Sequence, residues 1–171
     1  MSNQSGNILS ERTPAPGWLR VLGISSWAGG LAFLFFAILD HEEIFASVGG
    51  TIGTAGGVLA LAAAGWFSWA AAIVVTITDT TVRISYRPFR AFTIPRADIA
   101  SVGTETLNPS AFGGVGLRFM PPHDRALLFT AGSGFILERT SRSTNYHVRS
   151  DQAQRIVAIL REQPAGSFAQ S

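Results

Sequence analysis

No cysteine and no lysine occur in this chain of 171 residues. Without a thiol there is no disulfide framework, no thiolate metal site and no cysteine nucleophile. All 13 basic residues are arginine, so a phosphate-loop lysine and a Schiff-base lysine are excluded as well. Charge is scarce, at 14% of residues against 47% hydrophobic, a balance too apolar for a disordered chain. The scarcity is also uneven. Between Trp18 and Ile77 only Arg20, Asp40, Glu42 and Glu43 are charged, which implies two parts of the chain facing two kinds of solvent.

The uncharged stretches have the length of membrane spans. Residues 21–39 form a run of 19 without charge, and a helix from Trp18 to Leu39 reaches across a hydrocarbon layer of about 30 Å. Arg20 can snorkel at its near end. Residues 44–78 form a longer run of 35, more than the roughly 20 that one crossing requires. Its last six residues, Ile73, Val74, Val75, Thr76, Ile77 and Thr78, are all β-branched and follow an alanine-rich segment. A second helix over about 50–72 therefore hands over to a strand near residue 72. A signal peptide fits the first run poorly, because an Ala-Ile-Leu-Asp ending offers no small-residue cleavage site. A buried soluble hairpin is the other alternative, opposed by segments that are apolar on every face.

Arginine sets the expected orientation. Arg12 and Arg20 precede the first helix, the connecting loop has three acids and no arginine, and Arg83, Arg87, Arg90 and Arg96 follow the second. The positive-inside rule predicts a multi-pass protein of the cell membrane, with two transmembrane helices and both termini cytoplasmic. Trp18, Trp66 and Trp69 then share the cytoplasmic interface. Small residues recur at helical spacing as Gly49, Gly53 and Gly57, and again as Gly56, Ala60, Ala64, Ser68 and Ala72. This ridge predicts helix packing, either against Ser26 and Gly30 of the first helix or in a homo-oligomer.

Beyond residue 72 short β-rich runs alternate with turn signals about every ten residues, a pattern of a small sandwich or barrel. Val82, Ile84 and Tyr86 alternate with Arg83, Ser85 and Arg87, so one face is core. The final element is an amphipathic helix: Asp151 and Gln154 make a capping-box-like start, Ala153, Ile156, Val157 and Leu160 form one stripe, and Pro164 lies past the end.

The stretch Ile77-Thr78-Asp79-Thr80-Thr81-Val82-Arg83-Ile84, followed by Ile94-Pro95-Arg96-Ala97-Asp98-Ile99-Ala100-Ser101-Val102, resembles the opening of bacterial pleckstrin-homology-like (PH-like) membrane proteins with an N-terminal two-helix hairpin, a resemblance covering roughly residues 70–163. The resemblance implies a membrane-anchored α+β protein: two transmembrane helices, then a PH-like sandwich or barrel of about seven strands capped by a C-terminal helix. The expected division is an N-terminal tail over 1–17, the hairpin over 18–72, a cytoplasmic PH-like domain over 73–163 and a C-terminal tail over 164–171. The function it implies is non-catalytic binding or scaffolding at the cytoplasmic membrane face. The alternative is a structural accessory subunit of a larger membrane complex, assembled through the hairpin. The lipid bilayer and an unknown protein are the partners expected on this reading.

Candidate chemistry is thin. Asp40-His41-Glu42-Glu43 places four metal-capable side chains in a row but lacks the second histidine of a zinc-protease helix, since position 45 is Phe. His123 sits in a turn, and His147 alternates with Asn145 and Arg149 on what reads as a solvent face. The Gly113, Gly114 and Gly116 cluster lacks both the phosphate-loop lysine and the dinucleotide-binding spacing and reads as a bulge or the start of a strand, with a flexible binding loop as the alternative. No enzyme activity, metal or cofactor is expected. The eleven arginines and seven acids of residues 79–171 come without any nucleic-acid signature, so no nucleic-acid partner is expected. An anionic lipid surface, or plain solvation, accounts for them. The turn Arg87-Pro88-Phe89-Arg90, with Arg83 nearby, has the chemistry to meet lipid headgroups, Phe89 entering the interface and Arg87 and Arg90 pairing with phosphates. An ordinary exposed hairpin is the competing reading.

Overall fold

The structure, a computed structural model, describes residues 7–44 and 47–162. The expected C-terminal tail over 164–171, with Pro164, lies outside the described residues. The chain divides into two compact units, one of residues 15–71 and one of the remainder.

The first unit is a helical hairpin. Helices α1 (Gly17–Leu39) and α3 (Val48–Ala70) each run 23 residues, about 34 Å at the helical rise, and both are long and apolar enough to cross a membrane. The connection is not a plain loop, because residues His41–Ile44 form a short helix, α2. Ser47 caps α3, its hydroxyl accepting from the Gly50 N–H at 3.0 Å. The helices pack through their smallest residues. Gly23, Gly30 and Ala37 are the buried residues of α1, seven apart, and Thr54 and Gly65 those of α3. Leu31, Phe35 and Phe36 point outward, as do Ile52 and Leu59, an arrangement opposite to that of a water-soluble hairpin.

Among its described residues the second unit holds nine strands in two sheets and one helix of ten residues. The first sheet runs β1 (Asn7–Pro14), β2 (Ala72–Thr78), β3 (Thr81–Arg87) and β4 (Arg90–Pro95), all antiparallel. Its inner face carries Leu9, Ile73, Val75, Ile77, Val82, Ile84, Phe92 and Ile94, all buried. The second sheet contains β5 (Ile99–Leu107), β6 (Gly116–Met120), β7 (Asp124–Leu128), β8 (Gly132–Arg139) and β9 (Asn145–Arg149) in the order β5-β8-β9-β7-β6. Helix α4 (Ala153–Glu162) packs on β5 and β8 and buries Ala153, Ile156, Val157 and Leu160. Its last turn is tied down by arginines: Arg96 Nη2 donates to the Ile159 carbonyl at 2.8 Å and Arg161 Nη2 to the Val102 carbonyl at 2.9 Å.

Three expectations need correction. The expected PH-like sandwich or barrel of about seven strands is not formed: among the described residues there are nine strands in two sheets that are not closed on each other, no ladder joins the sheets, and β7 pairs with β9 in parallel. Residues 7–14, expected in a tail, are β1, and the ladder from Asn7 opposite Thr78 to Pro14 opposite Ala72 brings the two ends of the hairpin-bearing chain together. Strand β1 is fixed by Glu11, a buried carboxylate. It accepts from the Ser150 hydroxyl at 2.5 Å and from the Asp151 N–H at 2.9 Å. That network replaces the expected capping box. Ser150 Oγ, not Asp151, accepts from the Gln152 N–H at 3.1 Å, while the Asp151 carboxylate pairs with Arg149 at 2.7 Å.

Candidate functional site

Alternation in the β3–β4 hairpin separates the arginines singled out in the sequence. Tyr86 and Arg90 are register partners flanking the turn and share the inner face with Ile84 and Phe92, whereas Arg83 and Arg87 lie on the outer face. Arg87 is paired with Ala72 and Arg83 with Thr76. Arg87 therefore lies opposite the first residue of β2. Arg83 is about 13 Å farther along β3.

At the turn, Phe89 stacks on Tyr86 with centroids 5.7 Å apart and planes 13° from parallel, and the Phe89 N–H donates to the Tyr86 carbonyl at 2.9 Å. The Arg90 guanidinium lies over Phe92 at 5.9 Å and Phe119 at 6.0 Å. Arg125 sits among Phe92, Phe119 and Tyr146 at 4.8, 5.7 and 5.4 Å and donates to the Tyr146 hydroxyl at 3.1 Å. Two guanidiniums thus flank Phe119, which remains 56% exposed. A guanidinium held over aromatic rings is preorganised by the cation–π attraction while it keeps N–H donors for other partners.

Between this stack and β6 lies an open cleft of ≈ 620 Å³, lined by Tyr86, Phe89, Arg90, Val115, Gly116, Leu117, Arg118 and Phe119. Gly114 and Gly116 have φ of 120° and 97°, backbone conformations that favour glycine, and both lie close to side chains of the cleft. A Cβ on Gly114 would stand 2.7 Å from Arg118 Nη2, and one on Gly116 would stand 3.3 Å from the Tyr86 hydroxyl. The glycine cluster therefore brings backbone close to the Arg118 guanidinium and the Tyr86 phenol. Burial raises the Tyr86 phenol above its ordinary value, and the positive charge of Arg118 partly opposes that shift. Among the described residues the ion pairs are those of Arg139 with Asp98, Arg149 with Asp151, and His147 with Glu105 and Asp124. Arg83, Arg87, Arg90 and Arg118 are in none of them.

His147 is buried, not on a solvent face. Its Nδ1 lies 2.8 Å from Glu105 Oε2 and its Nε2 4.0 Å from Asp124 Oδ2, and the Phe112 ring covers it at 5.0 Å. The cover is local. Pro109–Phe112 forms a 3-10 turn, and Phe112 and Met120 pack over Leu107, Ala126 and Leu128 on this face of the sheet. Among the described residues no group of three His, Asp or Glu side chains converges as a metal site, and His41 lies exposed on α2.

In the hairpin, Gly57 meets Phe33 and Gly30 meets Leu61, while Gly53 faces open space and Gly49 meets only Ser47. Ser26 turns its hydroxyl back to the Leu22 carbonyl of its own helix. The tight contact lies elsewhere. Trp27 donates Nε1–H to the Ala62 carbonyl at 3.1 Å, and a Cβ on Gly65 would stand 2.2 Å from that nitrogen.

No protein-family model, curated protein or solved structure matches this chain. Together with the two unjoined sheets, that overturns the PH-like resemblance, and with it the PH-like binding or scaffolding role it implied. Sequence reasoning also missed Arg118, Arg125, Phe119 and Tyr146 as neighbours of the turn. Their only signal was the alternation of arginine and aromatic residues around Arg118-Phe119 and Arg125, which does not specify which strands meet.

Proposed function

We propose that this chain is a two-span integral membrane protein whose β domain lies on the cytoplasmic side and binds anionic lipid headgroups through the Arg87-Pro88-Phe89-Arg90 turn. The pairing of Arg87 with Ala72 carries the reading, because it sets Arg87, in no ion pair among the described residues, opposite the first residue of the strand that follows the second span in the chain. Arg90 and the exposed Phe89 follow in the same turn, a cation and aromatic pairing suited to phosphate and the headgroup boundary. The orientation is supported by Trp18, Trp66 and Trp69, exposed at the helix ends nearest Pro14 and Ala72. Arg20 lies over Trp69 at 5.9 Å, and the acidic Asp40, Glu42 and Glu43 occupy the opposite end.

The test uses the absence of cysteine. Single cysteines replacing the exposed Val48 and Thr80 are treated with an impermeant maleimide on intact cells, and only Val48→Cys is expected to react; labelling at Thr80→Cys reverses the topology. For docking, Ala91→Cys carries a polarity-sensitive probe in the full chain reconstituted into nanodiscs. Its emission is expected to shift to the blue when phosphatidylglycerol replaces phosphatidylcholine and to shift back in salt or with Arg87→Glu plus Arg90→Glu. An emission indifferent to lipid charge sinks the docking.

A further inference from the structure

Arg118 takes no part in the docking of the turn, yet its guanidinium shares a cleft with Arg90 and with the Tyr86 phenol. Neither arginine is in an ion pair among the described residues. The two arrive from different sheets, Arg90 from β4 and Arg118 from β6, and both line one cleft whose lining holds no acidic residue. Convergence of unneutralised cations costs free energy unless an anion joins them. The surroundings suit a particular anion. Two guanidiniums offer charge +2 and planar donor forks, burial further favours the neutral, proton-bearing form of the Tyr86 hydroxyl, and Phe89 and Phe119 also line the cleft.

We infer that the cleft bounded by Arg90, Arg118 and Tyr86 is a binding site for a phosphomonoester. Its dianion matches the two guanidiniums in charge and presents three terminal oxygens, one for each donor group, whereas a phosphodiester presents two oxygens and a single charge. The glycerol or ring portion of the ligand lies against Phe119. The volume, ≈ 620 Å³, is in the range of small-ligand sites. The phosphomonoester can come from a lipid, as in phosphatidic acid, or from a soluble metabolite, and the site reads the same group in both.

The test uses the full chain in phosphatidylcholine nanodiscs, with hydrogen–deuterium exchange read over residues 86–90 and 113–120. Glycerol 3-phosphate is titrated against glycerophosphoglycerol, a diester, and in parallel discs phosphatidic acid is compared with phosphatidylglycerol at matched surface charge. Protection of both segments by glycerol 3-phosphate and phosphatidic acid is expected, with the diester forms at least tenfold weaker. Protection by phosphatidic acid alone identifies the lipid as the source and still supports the site. Arg118→Ala and Tyr86→Phe should each weaken phosphomonoester binding, Arg118→Ala by at least tenfold, while Arg142→Ala, outside the cleft, leaves it unchanged. Equal protection by mono- and diesters, or no loss in Arg118→Ala when β8 and β9 exchange as in the parent, overturns the inference. The probe at Ala91→Cys reports turn docking on phosphatidylglycerol separately, so either reading can fail without the other.

Discussion

In α1 the buried residues are Gly23, Gly30 and Ala37 while Leu31, Phe35 and Phe36 face outward; in the β domain Phe135, Tyr146 and Ile84 are inside while Arg83 and Glu138 face outward. Large apolar residues are plentiful in both regions, and on the proposed membrane reading the contrast comes from the solvent each is built for. In lipid a leucine gains little by leaving the surface, and helices associate by close approach at small residues. In water the large apolar side chain is driven inward and charge stays out. The same hydrophobic alphabet thus yields inverse burial patterns, divided at Pro14 and Ala72.

The contrast breaks most severely if α4 is removed. Truncation after Ser150 deletes Ile156, Val157 and Leu160, each worth roughly 1.5–3 kcal/mol when buried, against a total of about 5–15 kcal/mol for a domain. The β domain is expected to lose cooperative unfolding while the hairpin keeps its helicity. Because all four tryptophans lie in the hairpin and both tyrosines in the β domain, tryptophan emission follows the hairpin, and amide exchange in β8 follows the domain. Unchanged exchange there would falsify the assignment of α4 to the domain core.

A smaller loss comes from Glu11→Ala, which leaves the Ser150 hydroxyl and the Asp151 N–H without their carboxylate partner. Hydrogen bonds to a charged group are worth about 1.5–3 kcal/mol, and denaturant unfolding of the β domain should move by that amount. An unaltered midpoint would mean that β1 merely lies along β2 without holding the domain together.

The hairpin offers a matched pair. Gly65→Val drives a side chain into Trp27, with an expected cost of about 1–3 kcal/mol and a changed tryptophan environment, whereas Gly53→Val meets open space and should leave helix packing alone. If both variants behave alike, the small-residue contact is not what closes the hairpin.

The smallest effect is electrostatic. The Asp98 carboxyl is held below its ordinary 3.8 by hydrogen bonds from the Ser141 hydroxyl, from Arg139 and from the Ser141 N–H. A depressed carboxylate contributes stability that is full above the unfolded value and lost as pH falls through the folded one. Asp98→Asn should therefore be less stable than the parent at pH 7, with the gap closing only below about pH 3.8. A gap that stays constant into acid, measured by urea unfolding at several pH values, would rule out that linkage.

Much of the hairpin was legible because lipid imposes a simple rule: a span must be long, uncharged and helical, and residues 21–39 announce one such element without help from any partner. Its contact was less legible. A Cβ on Gly57 or Gly65 would meet Phe33 or Trp27 of α1, whereas Gly53 faces open space; the rotation of α3 about its axis that sets this is not written in the spacing of Gly49, Gly53 and Gly57. In the β domain the alternation of Val82, Ile84 and Tyr86 with Arg83, Ser85 and Arg87 gave the correct faces. Strand β1 escaped notice because Glu11, a charged residue that is buried, interrupts the pattern that marks a strand. His147 escaped for a similar reason: period-two alternation assigns it a face but cannot say that Phe112, thirty-five positions earlier, covers that face.

By itself the sequence determined the existence of two membrane-length helices, the strand character of the segment after them, the apolar stripe of α4 and the excess of arginine, since each follows from local composition and period. Only the tertiary structure decided that residues 7–14 join the first sheet, that β7 and β9 run parallel, and that Arg90 and Arg118 meet at one cleft. Those outcomes depend on which strand edges pair across long separations, and backbone hydrogen bonding is the same for every sequence. The choice is made by how whole faces bury together, a property of the assembled sheets and of no single segment.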